Sequence, residues 1–206
     1  MSLSGRLFAA CYDRAMSATE QAGLRERRRR LLAEAAGRVL EIGAGTGANV
    51  ALYPDAVTEL VLTEPEEAMA RRLERRAQQL RRPLQVIRAP AERLPFADHS
   101  FDYAVSTLVL CTVRDPIATL AELRRVVRPG GRLLFLEHVR SERPELARWQ
   151  DLARPVWVRV AAGCTCNRDT LSAIASAGFV AGDVEHGALP KAPPFVRPLV
   201  VGSASR

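Results

Sequence analysis

The sequence predicts an α/β fold: a doubly wound, mostly parallel sheet with helices on both faces. Three observations predict it. Strand-like and helix-like apolar patterns alternate along most of the chain. The first apolar run passes directly into a glycine-rich turn, VLEIGAGTG at 39–47. The second such run closes on an acid, Glu64.

The elements follow in order. VLEI (39–42) is a short apolar run and TELVLTE (58–64) is β-branched and apolar, so both read as strands. From Glu66 to Leu80, Met69, Leu73, Ala77 and Leu80 recur at helical spacing with arginines between them. LQVI (84–87) is the next strand, and FDYAVSTLVL (101–110) begins as a strand and runs on into a loop. Pro116 suits the first turn of a helix, which Ile117, Leu120, Leu123 and Val127 continue until Pro129-Gly130-Gly131 stops it. RLLFLEHV (132–139) is another strand. Residues 142–178 read as mostly helical, broken around Pro155 and at Gly163. FVAGDVEH (179–186) and FVRPLVVGSA (195–204) form a final pair joined by a proline-rich link.

Composition narrows the class. The chain has 206 residues, 48% hydrophobic and 26% charged, the balance of an ordinary globule. With no internal repeat, linker or low-complexity tract, 1–206 reads as one domain. Its residues 1–36 are expected to form an N-terminal helical cap and 142–170 a helical insertion on the substrate side. No apolar run approaches the ~18 residues of a membrane span, and the run at 7–11 falls short of the roughly 7–15-residue core of a secretory signal. The expected location is cytoplasmic. Cys164-Thr165-Cys166 lacks the spacing of a zinc site, and no histidine stands near it, so no metal is expected and Cys11, Cys111, Cys164 and Cys166 read as free thiols. The net charge of +7 raises nucleic acid as a partner. However, the cations are a chain-wide arginine bias, with Lys191 the single lysine. The runs at 25–30 and 71–82 sit in helical patterns and read as solvated faces, so neither nucleic acid nor an anionic membrane is the expected partner.

Glycine loses more backbone freedom on folding than other residues, so three at alternate positions (Gly43, Gly45, Gly47) need a reason. A glycine turn between strand and helix lets a ligand approach the backbone, and in open α/β sheets ligands lie beyond the carboxyl ends of the strands. The G-x-G-x-G spacing differs from the G-x-G-x-x-G that suits a dinucleotide pyrophosphate. Glu64, at the end of the second strand, is placed to accept hydrogen bonds from both ribose hydroxyls of a nucleoside.

At this point the motifs resemble a known family. VLEIGAGTG, TEPEEAM, APAERLPFADHSFDYAV and LRRVVRPGGRLLFLEHV are similar to the successive motifs of class I S-adenosylmethionine-dependent methyltransferases, including the ubiquinone/menaquinone methyltransferases. STLVLCTVRDP, EHVRSE and DLARPVWVRVAAGCTCNRDTL extend the likeness to thiol methyltransferases of the methyltransferase-like family. Those relatives begin with a hydrophobic anchor that is not evident in this sequence, so membrane attachment is not carried over. The resemblance implies a Rossmann-like sheet of seven strands with an antiparallel last strand, S-adenosyl-L-methionine as cofactor, S-adenosyl-L-homocysteine as product and a small-molecule acceptor.

It also implies roles. Gly43, Ala44, Gly45 and Gly47 would line the methionine part, with Gly45 nearest. Glu41 would help hold the amino group and Glu64 the ribose. Pro65 and Met69 would pack on adenine, Met69 fitting ordinary core equally well. Ala91 and Glu92 would border the adenine edge. Thr107 and Leu108 would lie near the sulfur and methyl, and Tyr12 near the carboxylate. The sequence departs from the family at Pro90, where many relatives carry an aspartate for the adenine amino group; Glu92 is one candidate to replace it.

The chemistry is an in-line displacement from an activated donor, in which positioning can supply up to roughly 7–11 kcal/mol. A thiol acceptor, pKa near 8.5, needs little further help; a phenol, near 10, or a carbon needs a base. His138, after the fifth strand, is the base candidate, with a structural role as the alternative. His186 is a weaker candidate, His99 reads as solvated and Cys111 as core. Trp149, Trp157 and Arg154 are candidates to line an acceptor pocket. The expected acceptor is a lipophilic thiol, then a quinone-type carbon or oxygen. A nicotinamide dehydrogenase, a nucleic-acid methyltransferase and a non-catalytic cofactor-binding protein are the rivals.

Overall fold

A computed structural model describes residues 13–14, 16–79 and 84–206. Seven strands form one sheet: β1 (Gly37–Ile42), β2 (Val57–Thr63), β3 (Leu84–Ile87), β4 (Phe101–Thr107), β5 (Val127–His138), β6 (Val180–Ala188) and β7 (Pro198–Ser205), in the order β3-β2-β1-β4-β5-β7-β6. β1 pairs in parallel with β2 and β4, β2 with β3, and β4 with β5. β7 runs antiparallel to both its neighbours, β5 and β6. The expected sheet is therefore present, with one antiparallel strand, the last in sequence. The strand order reverses between β1 and β4, and a crevice for a ligand forms at such a switch point.

The helices are α1 (Arg25–Leu32), α2 (Glu67–Ala77), α3 (Pro116–Val126), α4 (Pro144–Val160) and α5 (Thr170–Ser176). Strand alternation divides the core. Leu40, Ile42, Phe101, Phe135 and Leu133 face α3 and α5 through Leu120, Leu123 and Ile174. Val39, Leu60, Leu62, Val105 and Leu134 face the opposite layer, where Leu31 and Leu32 of α1 and Leu73 of α2 pack. α2 starts at an N-cap in which Glu66 accepts from Met69 N, and α3 starts at Asp115, which accepts from Ile117 N and Ala118 N with Pro116 behind it.

Three features differ from the sequence expectation. Pro155 sits inside α4 rather than breaking it. Its missing N–H frees the carbonyl of Asp151, and both residues are exposed, so water can satisfy that carbonyl. β5 begins at Val127, before the Pro129-Gly130-Gly131 turn; Gly130 has φ 77°, and the β4–β5 register shifts between Phe101 and Tyr103. The run at 25–30 is not wholly solvated, because Arg28 is only 4% exposed.

Candidate functional site

The glycine turn follows β1 at the switch point, and its three glycines differ in what surrounds them. All have positive φ, 54°, 58° and 86° for Gly43, Gly45 and Gly47. A Cβ on Gly43 would lie 2.7 Å from Val109 Cγ1, and one on Gly47 would lie 2.8 Å from Leu73 Cδ1. Those two let the turn pack closely on the post-β4 loop and on α2. At Gly45 a Cβ would meet nothing nearer, among the described residues, than Gly43 O at 4.0 Å. Among the described residues, packing therefore leaves the space over Gly45 free, as a cradle for a ligand would require. Ala44 is buried, and its N–H donates to Thr63 O at 2.9 Å, tying the turn to β2.

Glu64 is buried immediately after β2 and reaches this turn. Its Oε2 accepts from Gly45 N and its Oε1 from Glu66 N, each at 2.9 Å. Burial raises its pKa, while the two amides pull the other way. Each oxygen has a second lone pair for a further donor. Met69 is buried on α2 and Pro65 is exposed beside the carboxylate.

Beneath the turn, Glu41 anchors a buried network. Tyr53 Oη donates to its Oε2 at 2.7 Å and Asn49 Nδ2 to its Oε1 at 2.9 Å. Asn49 also donates to Thr107 Oγ1 at 2.9 Å. Arg28 enters from α1, donating to Thr107 Oγ1 at 2.7 Å and to Asn49 Oδ1 at 3.2 Å, and pairs with Glu20 at 3.0 Å. Desolvation pushes the Glu41 carboxyl up to about 7, against the pull of Tyr53, Asn49 and Arg28. Sequence reasoning missed Arg28, Asn49 and Tyr53. A signal for Arg28 was present: it stands four residues from both Leu24 and Leu32, on the apolar stripe of its helix.

Leu108 closes β4 with φ 62°, an uncommon conformation for a side chain of this kind, and its N–H donates to Leu136 O. A second buried carboxylate, Glu137, holds this loop. Its Oε1 accepts from Ser106 Oγ at 2.7 Å and Val109 N at 3.0 Å, and burial pushes it up to about 7. Glu137 was also missed, although a charge within the apolar run RLLFLEHV marks it.

Other candidates have structural jobs. Glu92 Oε1 accepts from Arg114 N at 2.8 Å and Asp115 N at 3.4 Å, bracing the loop before α3 next to buried Ala91. That leaves no observation assigning Glu92 the function that Pro90 displaced. His138 is buried with its Nδ1 lacking a hydrogen-bond partner among the described residues. Burial lowers its pKa to about 4, opposed by the carbonyls of Val196 and Pro198. Burial thus keeps the ring neutral at neutral pH and makes it a weak proton acceptor. The neighbouring Cys164 thiol and burial hold Cys111 well above its ordinary pKa. His186 and His99 are exposed. Trp157 packs edge-on against Phe195 at 5.3 Å, while Trp149 is exposed beside a cleft and Arg154 is exposed. Tyr12 lies outside the described residues; Asp13 accepts from Thr46 Oγ1 of the glycine turn at 2.5 Å.

Two of the raised carboxyls, Glu41 and Glu137, make a pH prediction. Both pKa values rise on folding from 4.5 to about 7, so the folded state binds protons that the unfolded state has released. Their stabilisation is complete below the unfolded value and is lost as pH rises through about 7, each contributing on the order of 3 kcal/mol. The midpoint of thermal unfolding is expected to fall between about pH 5 and pH 8, and to fall less in Glu137→Gln. An equal slope in the variant would mean that Glu137 does not titrate in this range.

The comparisons with known proteins agree with this architecture. A family model described as a methyltransferase domain matches residues 40–135. Human thiol S-methyltransferase TMT1B is 38% identical over 178 residues, covering 83% of this chain and 70% of the relative. A demethylmenaquinone methyltransferase of Renibacterium salmoninarum is 38% identical over 120 residues, 56% of this chain and 49% of the relative. The crystal structure of a Thermotoga maritima S-adenosylmethionine-dependent methyltransferase, described as a possible histamine N-methyltransferase, superposes with a TM-score of 0.71 at 24% identity, covering 97% of each chain. The fold is that of S-adenosylmethionine-dependent methyltransferases. The chain belongs to that family, and within it resembles the thiol S-methyltransferases over most of its length. Among the described residues no helix is long and apolar enough to cross a membrane.

Proposed function

We propose that the chain transfers a methyl group from S-adenosyl-L-methionine to a small lipophilic acceptor, with a thiol sulfur preferred. The carrying observation is the open space over Gly45 flanked by the Glu64 carboxylate. A cradle bounded by a main-chain turn and an oriented acid suits the methionine and ribose parts of this cofactor. When bound, the cofactor supplies a methyl group already activated on a sulfonium.

The chain's own residues then bind and orient. Glu64, fixed by two amides, offers its remaining lone pairs to the ribose hydroxyls. Glu41, which ionises near 7, offers negative charge to the amino group as it ionises, and Tyr53 and Asn49 fix its place. Thr107 and Leu108 border the reacting end, on a loop that Glu137 holds still. Pro65, Met69 and Ala91 supply the adenine side. The 142–170 segment, carrying α4, is assigned to the acceptor side of one domain spanning 1–206.

Two observations support sulfur over oxygen or carbon. The likeness to a thiol S-methyltransferase extends over most of the chain. Among the residues described, His138 is held near 4, and the two carboxyls near 7 are enclosed, Glu41 by Tyr53 and Asn49 and Glu137 by Ser106 and the post-β4 loop. A thiol tolerates this, because a useful fraction ionises without help. The test is production of S-adenosyl-L-homocysteine with matched lipophilic thiols and phenols or quinols. Turnover of thiols that rises with pH towards the thiol pKa is expected. Turnover of quinols alone would move the assignment to the quinone class.

A further inference from the structure

α4 carries an apolar face that no part of the described structure covers. Trp149, Leu152, Val156 and Val160 fall at i, i+3, i+7 and i+11, on one stripe, and are between 65% and 79% exposed. The helix is anchored by a different face. Ala147 and Gln150 are buried, and Gln150 Nε2 donates to the carbonyls of Val139, Cys166 and Phe195. The exposed stripe is therefore surplus to the packing of the fold, and α4 is oriented to present it.

The edge of the stripe is cationic. Arg148 and Arg159 project beside it, both exposed, on a chain of net charge +7. Asp151 lies across the helix and is paired to Arg140 at 2.6 Å, leaving Glu145, with Glu142 just before the helix, as the acids at the N-terminal end of the stripe. An apolar stripe opening on a tryptophan and bordered by arginines is the pattern of a helix that lies in the plane of a membrane interface.

We propose that the outward face of α4 docks on the surface of an anionic phospholipid bilayer. Trp149, Leu152, Val156 and Val160 enter the boundary between headgroups and acyl chains, and Arg148 and Arg159 meet lipid phosphates. A second copy of the chain fits less well. The stripe is about 16 Å long and one side chain wide, far below the ~800 Å² per partner of a stable interface. An antiparallel symmetric pair would also bring two arginine edges together. The surface has a further use: a cleft of about 1090 Å³ opens beside Trp149, lined by Leu146, Leu171, Leu199, Arg143 and Arg197. A lipophilic molecule held in the bilayer would meet this cleft at the docked surface.

The test is sedimentation of the full chain with vesicles, without cofactor or acceptor, so its outcome is independent of the methyltransferase reading. Phosphatidylcholine vesicles are compared with phosphatidylcholine–phosphatidylglycerol vesicles. Binding to the anionic vesicles is expected to be at least about tenfold tighter, with a blue shift of tryptophan emission that Trp149→Phe largely removes. Leu152→Glu/Val156→Glu, both at exposed positions, is expected to weaken that binding at least about tenfold while keeping the wild-type thermal midpoint. Arg148→Glu/Arg159→Glu is expected to abolish the preference for anionic vesicles. The proposal is overturned if the wild type binds neither vesicle, if Leu152→Glu/Val156→Glu binds as well as wild type, or if that variant instead dissociates a dimer.

Discussion

Gly45→Val is expected to give a folded protein that binds S-adenosyl-L-methionine at least about 100-fold more weakly, a loss of about 2.8 kcal/mol. The reason lies in the contrast among the three glycines. At Gly43 and Gly47 an added Cβ collides with the protein itself, so substitutions there test packing. At Gly45 it enters open space, so substitution there tests what that space is for. The backbone at φ 58° adds strain, typically about 1–2 kcal/mol for a side chain in this region, which a domain of ordinary stability, about 5–15 kcal/mol, can absorb. Gly45→Ala carries similar backbone strain with a smaller obstruction and is expected to bind with intermediate affinity. Wild-type affinity in a folded Gly45→Val would remove Gly45 from the site.

Glu64→Ala is expected to weaken binding at least about tenfold, roughly 1.4 kcal/mol. The loss should be similar for S-adenosyl-L-homocysteine, because the ribose is common to both. Part of the effect is indirect, since Glu64 also holds the Gly45 and Glu66 amides. Glu64→Gln keeps one acceptor and separates the two contributions: it should hold the turn better than alanine yet still bind weakly. Unchanged calorimetric affinity in Glu64→Ala would mean that the carboxylate serves the turn alone.

Much of this site was legible because its chemistry is local in sequence. A glycine turn after an apolar run and an acid ending the next run are short patterns, and parallel pairing of β1 with β2 carries both to one edge of the sheet. The strands were legible for the same reason. What escaped was long-range. Arg28 is buried because Thr107 and Asn49, distant in sequence, accept from it, and one member of an arginine run does not announce this partner. Glu137 is an acid in an apolar strand whose function becomes visible only when the post-β4 loop folds back over it. His138 pulls in the opposite direction. Its place at the end of β5 suggests a base, whereas burial under the segment before β7 lowers its pKa to about 4. Pro155 shows the limit of local rules, because a helix held by Gln150 on its inner face tolerates a proline on its outer one.

The measurement that tests the central claim most directly is a calorimetric titration of the purified chain with S-adenosyl-L-methionine and, separately, with NAD. Micromolar binding of the first and none of the second is predicted. Binding of NAD, or of neither, would contradict the assignment of the glycine turn and Glu64 to this cofactor.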